Sequence, residues 1–180
     1  MIRQSIARRY AKGLFAVGEK DGRYRDYLGE VNKVLSLAAG EPKIEKALML
    51  PLVEMKKRKE LLSDIVAALS VLPPVAAILG LLLEKHRMNY LPLIRDAYEE
   101  MVDDKEGRAR GVCHSAYPVP VGVKQKIEEA LTERLGKKVE LKVEEDKGLI
   151  GGIKVIVGGL RIDGSVKRQL ELLNERIMEE

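Results

Sequence analysis

Nucleophilic catalysis pairs a Ser, Cys or Thr with a base close by in space, most often His. This chain has one Cys, Cys113, and two His, His86 and His114. Cys113 and His114 are neighbours in a stretch of strand character, and neighbours on a strand point to opposite faces. They are therefore not a catalytic pair, and Cys113 is expected to be a buried, inert thiol. His86 stands between Lys85 and Arg87 and reads as a solvated residue. Ser165 follows Asp163-Gly164 and precedes an apolar run of helical spacing. That is the pattern of a helix N-cap, worth about 1 kcal/mol, rather than of a nucleophile. The glycines of Gly148-Leu149-Ile150-Gly151-Gly152 open a strand, and the lysine after them, Lys154, is followed by Val155. A phosphate loop needs GxxxxGK[ST] between strand and helix, so these glycines predict a bulge or a close backbone approach instead. So few Cys and His cannot supply the usual four-ligand zinc site. No catalytic residue, no cofactor and no metal site is expected.

The remaining chemical candidate is the basic run Lys56-Lys57-Arg58-Lys59, flanked by Glu54 and Glu60. Nucleic-acid platforms interleave such charges with aromatic rings, and no aromatic lies between Tyr27 and Tyr90. The run is expected to be a solvated helix face, and an RNA-associated protein is the runner-up reading. Over the 180 residues, 32 Lys and Arg face 28 Asp and Glu, so the net charge of +4 is too small to demand a polyanionic partner. The hydrophobic fraction of 46% is enough for a core, and the charged fraction of 33% implies a heavily charged surface. A lone cysteine permits no internal disulfide. The N-terminus shows no secretory pattern. Ile65–Leu83 is free of charge, but Pro73-Pro74 interrupts it, so two short buried helices are expected there rather than a membrane span.

These candidates sit on elements readable from periodicity. Apolar residues at helical spacing predict helices over 3–18 and 24–37, a short one near 44–49 broken by Pro51, then 53–69, 75–83 and 91–101. Residues 1–105 thus form a six-helix bundle. Asp103-Asp104-Lys105-Glu106-Gly107 is a polar break, taken as the domain boundary. Beyond it a strand over 109–117, a helix over 123–135, strands over 139–145, 149–157 and 160–162, and a closing helix over 166–178 predict a small β-α-β-β-β-α domain at 106–180. Gly158-Gly159 marks a two-residue hairpin turn. The chain is mostly α with a small α+β part.

Two helices are apolar on more than one side. In 3–18, Ile6, Tyr10, Gly13 and Val17 form one stripe, and Ala7, Ala11, Leu14, Phe15 and Gly18 another. Val75–Leu83 is apolar nearly all round. Either both helices are central to the bundle, or they share an exposed groove that accepts an amphipathic helix.

Three segments carry a family resemblance. Ala7-Arg8-Arg9-Tyr10-Ala11-Lys12-Gly13-Leu14-Phe15 resembles the opening helix of the delta subunit of F-type ATP synthase, a family that includes the mitochondrial oligomycin-sensitivity-conferring protein. Glu84-Lys85-His86-Arg87-Met88-Asn89-Tyr90-Leu91 resembles its mid-chain motif. The strongest match is Leu149-Ile150-Gly151-Gly152-Ile153 followed by Ile162-Asp163-Gly164-Ser165-Val166 and Leu170. Gly13, where alanine is common, and Lys147-Gly148 are small departures. The resemblance implies a structural subunit with no active site of its own. It would be a stator element linking the alpha/beta catalytic head to the b subunits of the peripheral stalk, so that rotor torque is resisted and proton flow is coupled to ATP synthesis. It implies that the bundle receives N-terminal helices of the alpha subunits in a groove between its first and fifth helices. Tyr10, Gly13, Leu14 and Val17 would line one side, and Ile78, Leu81 and Leu82 the other. The C-terminal domain would meet the b subunits. The protein would lie peripherally at the cytoplasmic face of the bacterial plasma membrane, touching the membrane only through the complex, with no nucleic-acid partner.

Overall fold

In the computed structural model, residues 2–49 and 53–178 are described, and they divide into two compact units, Met1–Val102 and Asp103–Glu180. The first unit is helical: α1 Ile2–Lys20, α2 Tyr24–Gly40, α3 Pro42–Met49, α4 Met55–Ala68, α5 Pro73–Glu84, one 3-10 turn at Met88–Tyr90, and α6 Leu91–Lys105, which runs on into the second unit. The helix break expected at Pro51 lies outside the described residues. The helical periodicities set which sides meet. Ala7, Ala11 and Leu14 of α1 are buried with Val31 and Val34 of α2, and with Val75, Leu79, Leu82 and Leu83 of α5.

The helix ends explain why these elements stop where they do. After α1, Gly22 takes a left-handed φ of 70°, and Arg23 N–H returns to the Gly18 carbonyl at 2.9 Å. The same reverse turn closes α4 and α5, although neither end has a glycine. Ser70 has φ 51° and His86 φ 54°. Val71 N–H donates to the Val66 carbonyl at 3.0 Å, and Arg87 N–H to the Leu82 carbonyl at 2.7 Å. Each pair of turns satisfies carbonyls that a helix end otherwise leaves bare. At the start of α5, Pro73 and Pro74 carry no N–H, which suits them to a first turn. The Leu72 N–H just before them donates to Oε2 of the buried Glu30 at 2.9 Å. The double proline therefore opens α5 two residues earlier than the periodicity suggested.

Gly18 fixes the approach of α1 to α2. A Cβ there would lie 2.9 Å from Tyr24 Cα, 2.9 Å from Tyr27 Cδ2 and 3.0 Å from the Tyr98 hydroxyl. Around this contact Phe15 meets Tyr98 edge-on, with ring centres 5.7 Å apart. The Tyr98 hydroxyl donates to the Tyr24 carbonyl at 3.0 Å, and that of Tyr27 to Asp21 Oδ2 at 2.8 Å. Burial pushes both phenol pKa values up, so both remain donors.

The second unit is a four-stranded sheet: β1 Arg108–Ser115, β2 Lys138–Glu145, β3 Ile153–Val157 and β4 Leu160–Asp163, in the order β2-β1-β3-β4. β1 and β2 run parallel, joined through α7, Val121–Leu135; β3 and β4 are antiparallel neighbours. The chain closes with α8, Val166–Met178. Alternation along the strands turns Ala109, Cys113, Val139, Leu141, Val155 and Val157 to one buried side with Leu131 of α7. Gly158 and Gly159 both have positive φ, as the tight turn between β3 and β4 requires. The polar stretch after Val102 is not a loose break. α6 stays helical to Lys105, buried Asp103 faces Arg110 Nε at 3.2 Å, and Glu106 pairs with Arg108. β3 begins at Ile153 rather than Leu149, because the glycines before it form a loop.

Three substitutions test these contacts. Gly18→Ala should destabilise the chain by about 1–3 kcal/mol through overpacking against backbone that cannot retreat. Gly13→Ala, with nothing within 4 Å of the added methyl, should instead stabilise by up to about 1 kcal/mol. His86→Gly should stabilise by about 1 kcal/mol, by relieving a left-handed conformation that costs most side chains. Urea unfolding of each variant measures all three; an unchanged midpoint for Gly18→Ala would show that the α1–α2 contact has slack.

Candidate docking surfaces

The residues that suggested chemistry are occupied by structural tasks. Cys113 is buried in the sheet, and burial raises its thiol pKa, which keeps it protonated and unreactive. Ser165 Oγ accepts the Arg168 N–H at 3.2 Å, as an N-cap does, and Asp163 Oδ1 accepts the Ser165 N–H at 3.0 Å. These bonds with Ser165 hold the exposed Asp163 carboxyl below the usual carboxylate range. Gly152, at φ 80°, lets the loop before β3 touch the turn before α8. A Cβ on it would lie 2.3 Å from the Gly164 carbonyl oxygen. His114 Nδ1 lies 4.0 Å from Glu144 Oε2, a loose contact across β1 and β2. Among the described residues no group of three His, Cys, Asp or Glu is placed to hold a metal ion.

The basic run on α4 is only partly the solvated face that its composition suggested. Lys56 and Lys57 are exposed, but Arg58 is buried. Its Nε donates to the Ala47 carbonyl at 3.0 Å and its Nη2 to the Leu48 carbonyl at 2.6 Å. A guanidinium thus caps the C-terminal end of α3, where bare carbonyls and the helix dipole both favour a cation. Lys59 pairs with Glu84 of α5 at 2.6 Å. The sheet face opposite α7 carries cations too, and several are paired. Lys142 lies 2.9 Å from Glu144, Lys138 3.9 Å from Glu140, and Lys154 3.9 Å from Asp163. Arg161, on the same face, is exposed, so most but not all of these cations are paired.

What remains is apolar surface. α1 packs against α5, and Arg87 Nη1, just beyond α5, donates to the Tyr10 hydroxyl at 3.1 Å. Of the seven residues assigned to the groove, Leu14 is 3% and Leu82 0% exposed, so both belong to the core of their own unit. Tyr10 and Ile78 are half-buried. Val17 is 40% and Leu81 42% exposed, large apolar side chains that their own unit leaves uncovered. Gly13 is exposed with open space above it. Helical spacing alone could not tell which apolar positions face the core, because both stripes of α1 obey it.

A second uncovered surface was not singled out from the sequence. On α8, Val166, Leu170 and Leu173 are all exposed, and Ile150 of the loop before β3 is more exposed still. The signal was present in the spacing of 166, 170 and 173, which puts three apolar residues on one face of α8. Tyr117, between β1 and α7, and Val121, at the start of α7, are exposed as well. No helix among the described residues is long and apolar enough to cross a membrane.

Comparison with known proteins places this architecture. The model of the ATP synthase delta (OSCP) subunit family matches residues 6–177. An ATP synthase subunit delta of Desulfotalea psychrophila is 37% identical over 172 residues, covering 96% of this chain and 95% of the relative. An ATP synthase subunit delta of Geobacter sp. strain M21 is 34% identical over 175 residues, covering 97% of each. Among solved structures, a chain of the Toxoplasma gondii mitochondrial ATP synthase hexamer shares the fold, with a TM-score of 0.77 at 20% identity over 96% of this chain and 97% of that one. Family match, full-length relatives and shared fold agree, and the chain belongs to the ATP synthase delta (OSCP) subunit family.

Proposed function

We propose that this chain is a non-catalytic stator subunit of an F-type ATP synthase. It joins the alpha/beta catalytic head to the b subunits of the peripheral stalk, so that torque from the rotor is resisted and proton flow stays coupled to ATP synthesis. It works peripherally, at the cytoplasmic face of a bacterial plasma membrane, and has no active site of its own. The observation that carries this reading is the exposed apolar strip on α1 and α5, on a chain whose full-length relatives are ATP synthase delta subunits. The helical unit receives the N-terminal helices of the alpha subunits on that strip. Tyr10, Gly13, Val17, Ile78 and Leu81 offer the contact surface, with Leu14 and Leu82 as the packed floor beneath. The C-terminal unit meets the b subunits.

The physics fits a connector. A docked amphipathic helix desolvates Val17 and Leu81, and at about 25 cal/mol per Å² of apolar area the gain grows with every side chain it covers. Gly13 lets a second helix approach α1 closely, and Tyr10 is an anchor of the amphipathic kind that dominates interfaces. Its hydroxyl is already oriented by Arg87.

A synthetic peptide of the alpha-subunit N-terminus, titrated calorimetrically into the full chain, should bind with micromolar or tighter affinity. Leu81→Asp and Gly13→Leu should each weaken it by about tenfold or more, equivalent to about 1.4 kcal/mol, while thermal unfolding stays near that of the parent. No heat of binding at high micromolar peptide, or full affinity in a folded Leu81→Asp variant, would remove the strip from the reading.

A further inference from the structure

The two outer edges of the four-stranded sheet are finished differently. Along the first half of β2, α7 occupies the edge. The outward N–H groups of Val139 and Leu141 donate to Thr132 Oγ1 at 3.0 Å and Glu128 Oε1 at 2.7 Å. Among the described residues no side chain bonds the outer edge of β4. The register against β3 pairs Ile162 with Val155 and Leu160 with Val157, and just past the strand Gly164 N–H donates to the Ile153 carbonyl at 2.9 Å. Bonding alternates along an antiparallel ladder, so Leu160 and Ile162 turn their backbone groups to β3, while Arg161 and Asp163 turn theirs outward. Val166 N–H, bonded to the Gly151 carbonyl at 3.0 Å, keeps the turn into α8 in line with the strand rather than folded over its outer edge. An open edge of this kind is a template for another strand.

The side chains of β4 select which strand fits. Arg161 and Asp163 are exposed on the sheet face opposite α7, and Leu160 and Ile162 are half-buried at the margin of the core. Arg161 pairs with no acid among the described residues, and Asp163 meets Lys154 only loosely, at 3.9 Å. With the outward groups at 161 and 163, a second β4 can lie antiparallel to the first in three registers. One sets Arg161 against Arg161 and another sets Asp163 against Asp163, like charges directly opposed. The third sets Arg161 against Asp163 in both directions, with Ile162 beside Ile162 of the second copy at the centre. Both charged pairs then exchange backbone hydrogen bonds, and the central pair, which exchanges none, brings its side chains closest. That register satisfies the edge, matches the charges and covers apolar side chains in one step. The strand is complementary to itself.

We propose that β4 pairs antiparallel with β4 of a second copy of this chain, joining the two sheets into one across a two-fold axis at Ile162. The strand is only four residues long, so the contact is small and the pair forms in concentrated protein rather than dilute. It uses neither the strip on α1 and α5 nor the apolar face of α8, and it does not depend on the stator assignment.

Sedimentation of the full chain over a concentration series tests the pairing. A reversible dimer should appear as the protein approaches about 1 mM, and added salt should weaken it. Amide exchange at Arg161 and Asp163 should slow with concentration, while exchange at Val139 and Leu141 stays as it was. Arg161→Asp and Asp163→Arg should each weaken the dimer by about tenfold or more, since each sets like charges opposite at both pairs. An equimolar mixture of the two variants should dimerise again, because the acids of one then face the cations of the other. Asp163→Arg also removes the acceptor of the Ser165 N–H, so a second variant checks the backbone alone. Arg161→Pro deletes an outward N–H and leaves the bonds to β3 in place, and it should be monomeric with sheet content unchanged. A parent chain that stays monomeric at the highest concentration, a dimer indifferent to Arg161→Asp and Arg161→Pro, or a dimer that Leu170→Asp dissolves instead would overturn the proposal. So would a monomeric chain whose Arg161 and Asp163 amides are protected only by an added extended peptide of another sequence, since the edge would then belong to a different protein's strand.

Discussion

Hydrocarbon exposed to water costs free energy in proportion to its area, and a helix within a small unit can turn only one side to its neighbours. That constraint organises the molecule. α1 hides Ala7, Ala11, Leu14 and Gly18 and leaves Val17 in water. α5 hides Val75, Leu79, Leu82 and Leu83 and leaves Leu81. α8 leaves nearly everything. Cys113 is buried, Ser165 caps α8 and Arg58 caps α3, so these three candidates already carry structural tasks. The large side chains that their own units leave uncovered, Val17, Leu81, Leu170 and Leu173 among them, are apolar.

Much of the fold was legible because local chemistry and tertiary structure agree. Ser165 caps α8 as its position after Asp163-Gly164 suggested. Gly152 makes the close backbone approach that a paired glycine in a strand-like run implies. Gly22 and Gly158-Gly159 sit where left-handed backbone is needed. Other features had no local signal. Ser70 and His86 end their helices in left-handed conformations without glycine, because the return bonds from Val71 and Arg87 outweigh the strain. Arg58 lies inside a run of four cations, and only the three-dimensional position of the end of α3 separates it from its neighbours. α6 passes through an acidic stretch because Asp103 has Arg108 and Arg110 to face.

The proposed docking surface has a trace in the sequence as apolar spacing, but not in depth. Periodicity found two apolar stripes on α1, and resemblance indicated that one serves a partner. Neither could show that Leu14 and Leu82 lie beneath the surface while Val17 and Leu81 lie on it, because that depends on which neighbour covers each residue. Gly13 and Gly18 make the same point. They are five residues apart in one helix, yet one meets three tyrosines and the other meets nothing.

The root of α8 has a mechanical meaning. Three backbone bonds hold that root: Gly164 N–H to the Ile153 carbonyl at 2.9 Å, Val166 N–H to Gly151 at 3.0 Å, and Gln169 N–H to Ser165 at 3.1 Å. Between the loop before β3 and the turn into α8 there is no room even for a methyl group at Gly152. A helix clamped at one end and bare along its length is a cantilever. Sideways force on its tip is delivered to the clamp as a bending moment, and the absence of slack there makes the clamp stiff. Enlarging the glycine would therefore alter how the beam deflects under load before it altered what the beam touches.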